Sequence, residues 1–101
     1  MKLREIAHSR TGDKGNMVNI SVIAYERKDY ELLLRQVTAE CVQSYFSDRV
    51  TGEVIRYEIP SIAALNFVMQ DALGGGVTRS LFLDKHGKSL SSALLDMELN
   101  P

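Results

Sequence analysis

Hydrophobic positions along the chain recur at spacings of two in some segments and of three to four in others, and the changes of period mark its elements. Met17 to Tyr25 puts Val18, Ile20, Val22 and Ala24 on one side and Asn19, Ser21, Ile23 and Tyr25 on the other. That predicts a strand with one apolar and one mixed face, as on a sheet packed fully on one side only. Glu53 to Ile59 also alternates, with Ile55, Tyr57 and Ile59 opposing Val54, Arg56 and Glu58, and reads as a half-buried strand. Leu3 to His8 fits a short strand with Leu3, Glu5 and Ala7 on one face. Between these segments the period lengthens. Asp29 is placed to cap a helix beginning at Tyr30, and Thr38 to cap a second. Glu31 and Glu40 stand in the first turns, where the helix dipole favours an acid. Cys41, Val42, Tyr45 and Phe46 form a helical stripe. The spacing predicts one kinked helix or two short ones between residues 29 and 47.

After Pro60, Ser61 is placed to cap a further predicted helix with Ile62, Leu65, Met69, Ala72 and Leu73 on one side. Gly74-Gly75-Gly76 supplies the left-handed residue that ends a helix. Arg79 to Asp84 reads as a strand, Lys85-His86-Gly87-Lys88 as a turn, and Ala93 to Leu99 as a last strand. Helices joining successive strands imply right-handed crossovers between parallel strands. Segments 17–25, 53–59 and 79–84 are therefore expected to run parallel. The expected fold class is α+β, a two-layer sandwich with a mixed β-sheet, helices on one face and the other face open.

Composition narrows the function classes. A length of 101 residues with 45% apolar content suits one domain, 1–101, with a small core. Twelve Lys and Arg against thirteen Asp and Glu give a net charge of −1, so no basic excess exists to neutralise a phosphate backbone, and nucleic acid is disfavoured as a partner. The one cysteine, Cys41, cannot form an intrachain disulfide. His8 and His86 lie far apart, so no metal-ligand spacing exists, and no cofactor motif is present. Met1-Lys2-Leu3-Arg4-Glu5 carries charges where a signal peptide needs an apolar stretch. No apolar run approaches the ~20 residues of a membrane helix, and a cytoplasmic setting is expected.

The candidate chemistry lies in His8-Ser9-Arg10-Thr11-Gly12-Asp13-Lys14-Gly15-Asn16, read as a loop between two strands. Gly12 and Gly15 permit positive φ and an anion nest of backbone N–H groups. Arg10 and Lys14 add cationic donors suited to carboxylate or phosphate. His8 and Asp13 are the candidate catalytic bases, His8 being the group here that titrates near neutral pH. A long hairpin loop with solvated charges would have the same composition. No GxxxxGK[ST] pattern occurs, so this is not a Walker loop. If the strands are parallel, the loop shares one sheet edge with Gly74, Gly75, Gly76 and Arg79, and with Ser47-Asp48-Arg49. Two Gly-rich loops then converge on one anionic ligand. The glycines equally suit close backbone packing.

Ile6 to Asn16, Tyr57-Glu58-Ile59-Pro60, Ala64-Leu65-Asn66-Phe67-Val68, Leu73 to Leu81 and Ala93-Leu94-Leu95-Asp96-Met97 together resemble the AtuA-like (acyclic terpene utilisation) family, in its ferredoxin-fold small domain. The resemblance covers nearly the whole chain. It implies a ferredoxin-like fold, a larger AtuA-like subunit as partner and a setting in terpenoid or acyl-CoA catabolism. The expected function is a small subunit or accessory domain that helps to bind an anionic carboxylate or acyl-CoA substrate, with residues 10–12, 14–16, 74–76 and 79 contacting it. The alternatives are a stand-alone enzyme using the 9–16 loop, with Arg10 and Lys14 stabilising an oxyanion, and a pure assembly module. The open sheet face, with Ile23 and Tyr25, suggests a homo-oligomer or a larger partner chain.

Overall fold

The computed structural model describes residues 1–14, 17–46, 53–69 and 90–101. Its regular elements are β1 (Ala7–Lys14), β2 (Met17–Ala24), α1 (Tyr30–Gln36), α2 (Ala39–Tyr45), β3 (Val54–Ile59), β4 (Ala64–Met69) and α3 (Leu90–Leu94). The strands form one sheet in the order β1-β2-β4-β3. The α+β class holds. The direction of the pairing differs from expectation, because every ladder among the described residues is antiparallel. β2 and β3 do run the same way, joined by the two helices, but β4 stands between them. This is a split β-α-β arrangement of the ferredoxin-like kind, with N-terminal β1 completing the outer edge.

Four segments fold differently from their expected elements. Residues 9–14, taken as loop, continue β1, and each pairs with a β2 residue from Ser9↔Val22 to Lys14↔Met17. Polar residues suffice there because β1 is an edge strand with one face uncovered. Residues 64–69 are strand rather than helix. Leu65, Phe67 and Met69 are buried at spacing two, and this overrides the helical spacing of Ile62, Leu65 and Met69. The Ser61 cap is likewise replaced by a short 3-10 turn, Pro60–Ile62, closed by Ala63 in the left-handed region at φ 53°. At the C-terminus, Leu90, Ala93 and Leu94 bury one side of α3, where residues 93–99 suggested a strand. Leu3 N–H then donates to Met97 O and Leu99 N–H to Met1 O, so the chain's two ends are tied together. At the N-terminus, Leu3–Glu5 is a 3-10 turn and the strand begins only at Ala7. The expected strand at 79–84, the turn at 85–88 and the segment 47–49 lie outside the described residues.

The two helices between residues 29 and 47 form as spaced, and Thr38 Oγ1 accepts from Cys41 N–H as the cap of α2. All three helices bury their apolar sides against one face of the sheet. That core holds Val18, Ile20, Val22, Leu65, Phe67 and Met69 from the strands, and Leu33, Val42, Phe46, Leu90 and Leu94 from the helices. Tyr30 enters it from α1, and its hydroxyl donates to Ala64 O at 2.8 Å. Burial pushes the Tyr30 hydroxyl above its ordinary pKa, with the charge of Glu58 adding to the rise. No described helix is long and apolar enough to cross a membrane.

Candidate functional site

Strand alternation sorts the candidate residues onto opposite faces. Thr11 stands opposite Ile20, in the row that continues through Phe67 to Arg56 on the helix side. Its Oγ1 accepts from Ser91 N–H at 2.8 Å, anchoring the start of α3 to β1. Thr11 is thus tied into the helix layer, on the side of the sheet away from Arg10. His8 and Arg10 fall on the uncovered face, His8 opposite Ile23 and Arg10 opposite Ser21. Asp13 pairs with Val18 and Lys14 with Met17, which makes them strand positions.

Gly12 pairs with Asn19, and its φ lies outside the left-handed region. The expected nest through Gly12 is therefore absent, since a nest needs a left-handed residue beside a right-handed one. A Cβ at position 12 would instead run into Asn19 Oδ1, so the glycine makes room for that amide on the open face. The expected shared edge of parallel strands is gone with the parallel pairing. Gly15, Asn16, Gly74, Gly75, Gly76 and Arg79 lie outside the described residues.

The open face forms three cross-strand rows. One runs His8–Ile23–Ala64–Ile59, with Tyr25 at its end. The middle row is Arg10–Ser21–Asn66–Tyr57, and the third is Gly12–Asn19–Val68–Ile55. None of these positions is a carboxylate. Arg10 is exposed and makes no ion pair among the described residues. The His8 and Tyr25 rings stack with centroids 5.2 Å apart and planes 28° from parallel, and Tyr25 stays 63% exposed. The face therefore divides. The β1–β2 half carries the cation, hydroxyl and amide groups. Apart from Asn66, the β3–β4 half carries apolar and aromatic groups, with Tyr57 and Ile59 exposed on it and Ile62 exposed on the turn at its end.

The signal that sequence reasoning missed is on β3. Alternation placed Ile55, Tyr57 and Ile59 together, and this more apolar side faces away from the helices. Arg56 takes the helix side instead. Its guanidinium donates to Leu34 O at 2.8 Å and Val37 O at 3.1 Å, satisfying carbonyls at the joint between α1 and α2. Free carbonyls at that helix end attract a cation, which explains why an arginine occupies the inner side of an edge strand. Cys41 contacts the core and lies near Met97, and burial pushes its thiol above the ordinary value, so it is no activated nucleophile.

No curated protein and no solved structure matches the chain. The family model of the AtuA ferredoxin-like domain matches residues 1–100. With the antiparallel sheet and its single helix layer in place, the protein belongs to the AtuA ferredoxin-like domain family.

Proposed function

We propose that this domain is an accessory subunit that holds an anionic substrate for a larger AtuA-like subunit in terpenoid or acyl-CoA catabolism. The substrate class is a carboxylate or an acyl-coenzyme A thioester. The observation that carries this reading is Arg10, a cation with no described ion-pair partner on a face whose described positions hold no carboxylate. A guanidinium there offers a planar fork of donors to an oxyanion, and Ser21 and Asn66 continue the polar row beside it. The apolar half of the same face suits the larger subunit. Tyr57, Ile59 and Ile62 are exposed together at 52%, 38% and 55%. A ligand on Arg10 then sits at the margin of the subunit contact. Lys14, Gly15, Asn16, Gly74, Gly75, Gly76 and Arg79 remain candidate contacts for the same anion. Catalysis by His8 or Asp13 is not needed for this role.

Arg10→Ala tests the proposal. An exposed charge contributes under ~1 kcal/mol to stability, so the melting temperature should hardly move. A charge-assisted contact to a bound anion contributes ~1.5–3 kcal/mol, which is roughly a tenfold to hundredfold loss of affinity for octanoate, octanoyl-CoA or phosphate. A variant that binds as well as wild type, or a wild type that binds none of these anions, overturns the anion site and leaves the assembly module.

A further inference from the structure

We infer that the anion held at Arg10 is the phosphate of a nucleotide, whose base stacks on the His8–Tyr25 ring pair; the inference rests on the anion-site reading above. The two halves of such a ligand have separate partners on one strip of sheet. His8 and Arg10 are alternate residues of β1, so they share a face and stand about 7 Å apart along the strand. That is the span from a nucleotide's base across its ribose to the 5′-phosphate. Tyr25 lies diagonally across from His8, just past the end of β2, and spends one ring face on the histidine. The rest of the ring is open, with 63% of the residue exposed. A half-open stack of flat rings is a platform for another flat ring, and base-on-aromatic stacking tolerates any base. Ser21 stands level with Arg10 and Asn19 one step beyond it, a hydroxyl and an amide on the phosphate side of the strip.

The chemistry argues against the simpler anions. A fatty carboxylate needs an apolar trough running away from the guanidinium. Arg10's own row toward β3 is polar, through Ser21 and Asn66, before it reaches Tyr57, and the apolar row Ile23–Ala64–Ile59 leads away from His8 rather than from the guanidinium. A long nucleic acid strand is disfavoured by the net charge of −1. One nucleotide, free or as the adenylate end of a coenzyme A thioester, matches one platform and one cation.

Calorimetric titration of the purified protein with AMP, coenzyme A, inorganic phosphate, octanoate and a short oligoadenylate tests this. AMP and coenzyme A should bind at least about tenfold more tightly than phosphate, the extra affinity coming from stacking. Tyr25→Ala and His8→Ala should each remove most of that excess and leave phosphate binding unchanged, while Tyr25→Phe should retain it. Arg10→Ala should weaken AMP and phosphate alike. A thermal melt of each variant checks that it is folded, and the two independent ring substitutions guard against one that is not. If phosphate or octanoate binds through Arg10 and AMP binds no better, the nucleotide inference fails and the anion site stands. If neither phosphate, octanoate, AMP nor coenzyme A binds, both fail. An oligoadenylate bound far more tightly than AMP also overturns the inference, in favour of a strand-binding surface.

Discussion

The two faces of this sheet are built from the same four strands, residue by residue in alternation, and they obey different rules. On the helix side, Val18, Ile20, Val22, Leu65, Phe67 and Met69 are fully buried. On the other side, large side chains such as Tyr25, Tyr57 and Ile59 remain exposed. Arg10 and Thr11 are sequence neighbours, yet Thr11 ties α3 to the sheet and Arg10 faces outward. Parity along a strand thus separates residues tied into the helix layer from those left on the open face, and a motif read as one continuous loop mixes the two. It also predicts that substitutions on one face act on stability and those on the other on binding.

The sharpest way to break this contrast is to truncate one large side chain on each face. Phe67 is fully buried at the centre of β4, opposite Ile20 and Arg56. Phe67→Ala should cost about 3–5 kcal/mol, enough to threaten the fold of so small a domain. Tyr57→Ala, on the open side of β3, should cost under ~1 kcal/mol in the isolated chain. Chemical denaturation of the two variants reads the difference. Equal losses would mean that the open face is packed in the isolated protein and that the division drawn here is wrong.

Arg56 is the exception on the helix side, and it sharpens the contrast. Removing the guanidinium orphans carbonyls at the α1–α2 joint, so Arg56→Ala should cost about 2 kcal/mol although the residue is charged. Arg56→Lys should recover only part of this, because Nη1 serves both carbonyls while Nη2 holds Glu58 Oε2 at 3.0 Å, and one ammonium cannot reproduce that fork. A full recovery in a urea melt would show that charge, not geometry, is what the helix end requires.

How far the sequence revealed this follows from where its patterns competed. β2 and β3 alternate with no rival period, so Met17 to Tyr25 and Glu53 to Ile59 read directly as strands. Thr38 and Glu40 announced α2 by cap chemistry. β4 did not read, because Leu65 and Met69 satisfy both periods and only Phe67, buried between them, decides for strand. β1 did not read because its polarity suits an uncovered edge as well as a loop. Of the proposed site, His8 and Arg10 stood out from composition, but the strand that puts them on one face did not. Gly12 suggested a turn, and its actual role depends on Asn19 of the neighbouring strand, which local sequence does not encode.

Tyr30 probes the core through pH. Its raised pKa means that the folded chain keeps the hydroxyl neutral above the ordinary value of 10.0, where an unfolded tyrosine ionises. The stabilisation is whole below that pH and is lost as pH rises through the higher folded value. Cys41, raised from 9.0 by burial, adds an earlier loss in the same direction. Tyr30→Phe should cost about 1–2 kcal/mol near neutral pH, from the hydrogen bond to Ala64 O. It should also flatten the part of the stability curve above pH about 10 and leave the Cys41 part in place. An unchanged alkaline limb would show that another group controls it.

The smallest expected effect is at Gly12, and it decides between two accounts of the same residue. A glycine held left-handed in an anion nest cannot become alanine without strain, and both stability and anion affinity would fall. A strand glycine that only makes room for Asn19 Oδ1 asks much less, because that oxygen ends a short side chain free to rotate on the open face. Alanine also loses less chain entropy on entering a strand, by about 0.5–1 kcal/mol, which offsets the cost of moving the amide. Gly12→Ala should therefore change stability by less than about 1 kcal/mol in either direction and leave phosphate affinity as it was. Asn19→Ala in the same background should then recover whatever moving the amide costs, since the atom that crowds the new Cβ is gone. A Gly12→Ala protein that melts normally but no longer binds phosphate would mean that the backbone at position 12 leaves the strand when anion arrives, and that the open face is remade by its ligand.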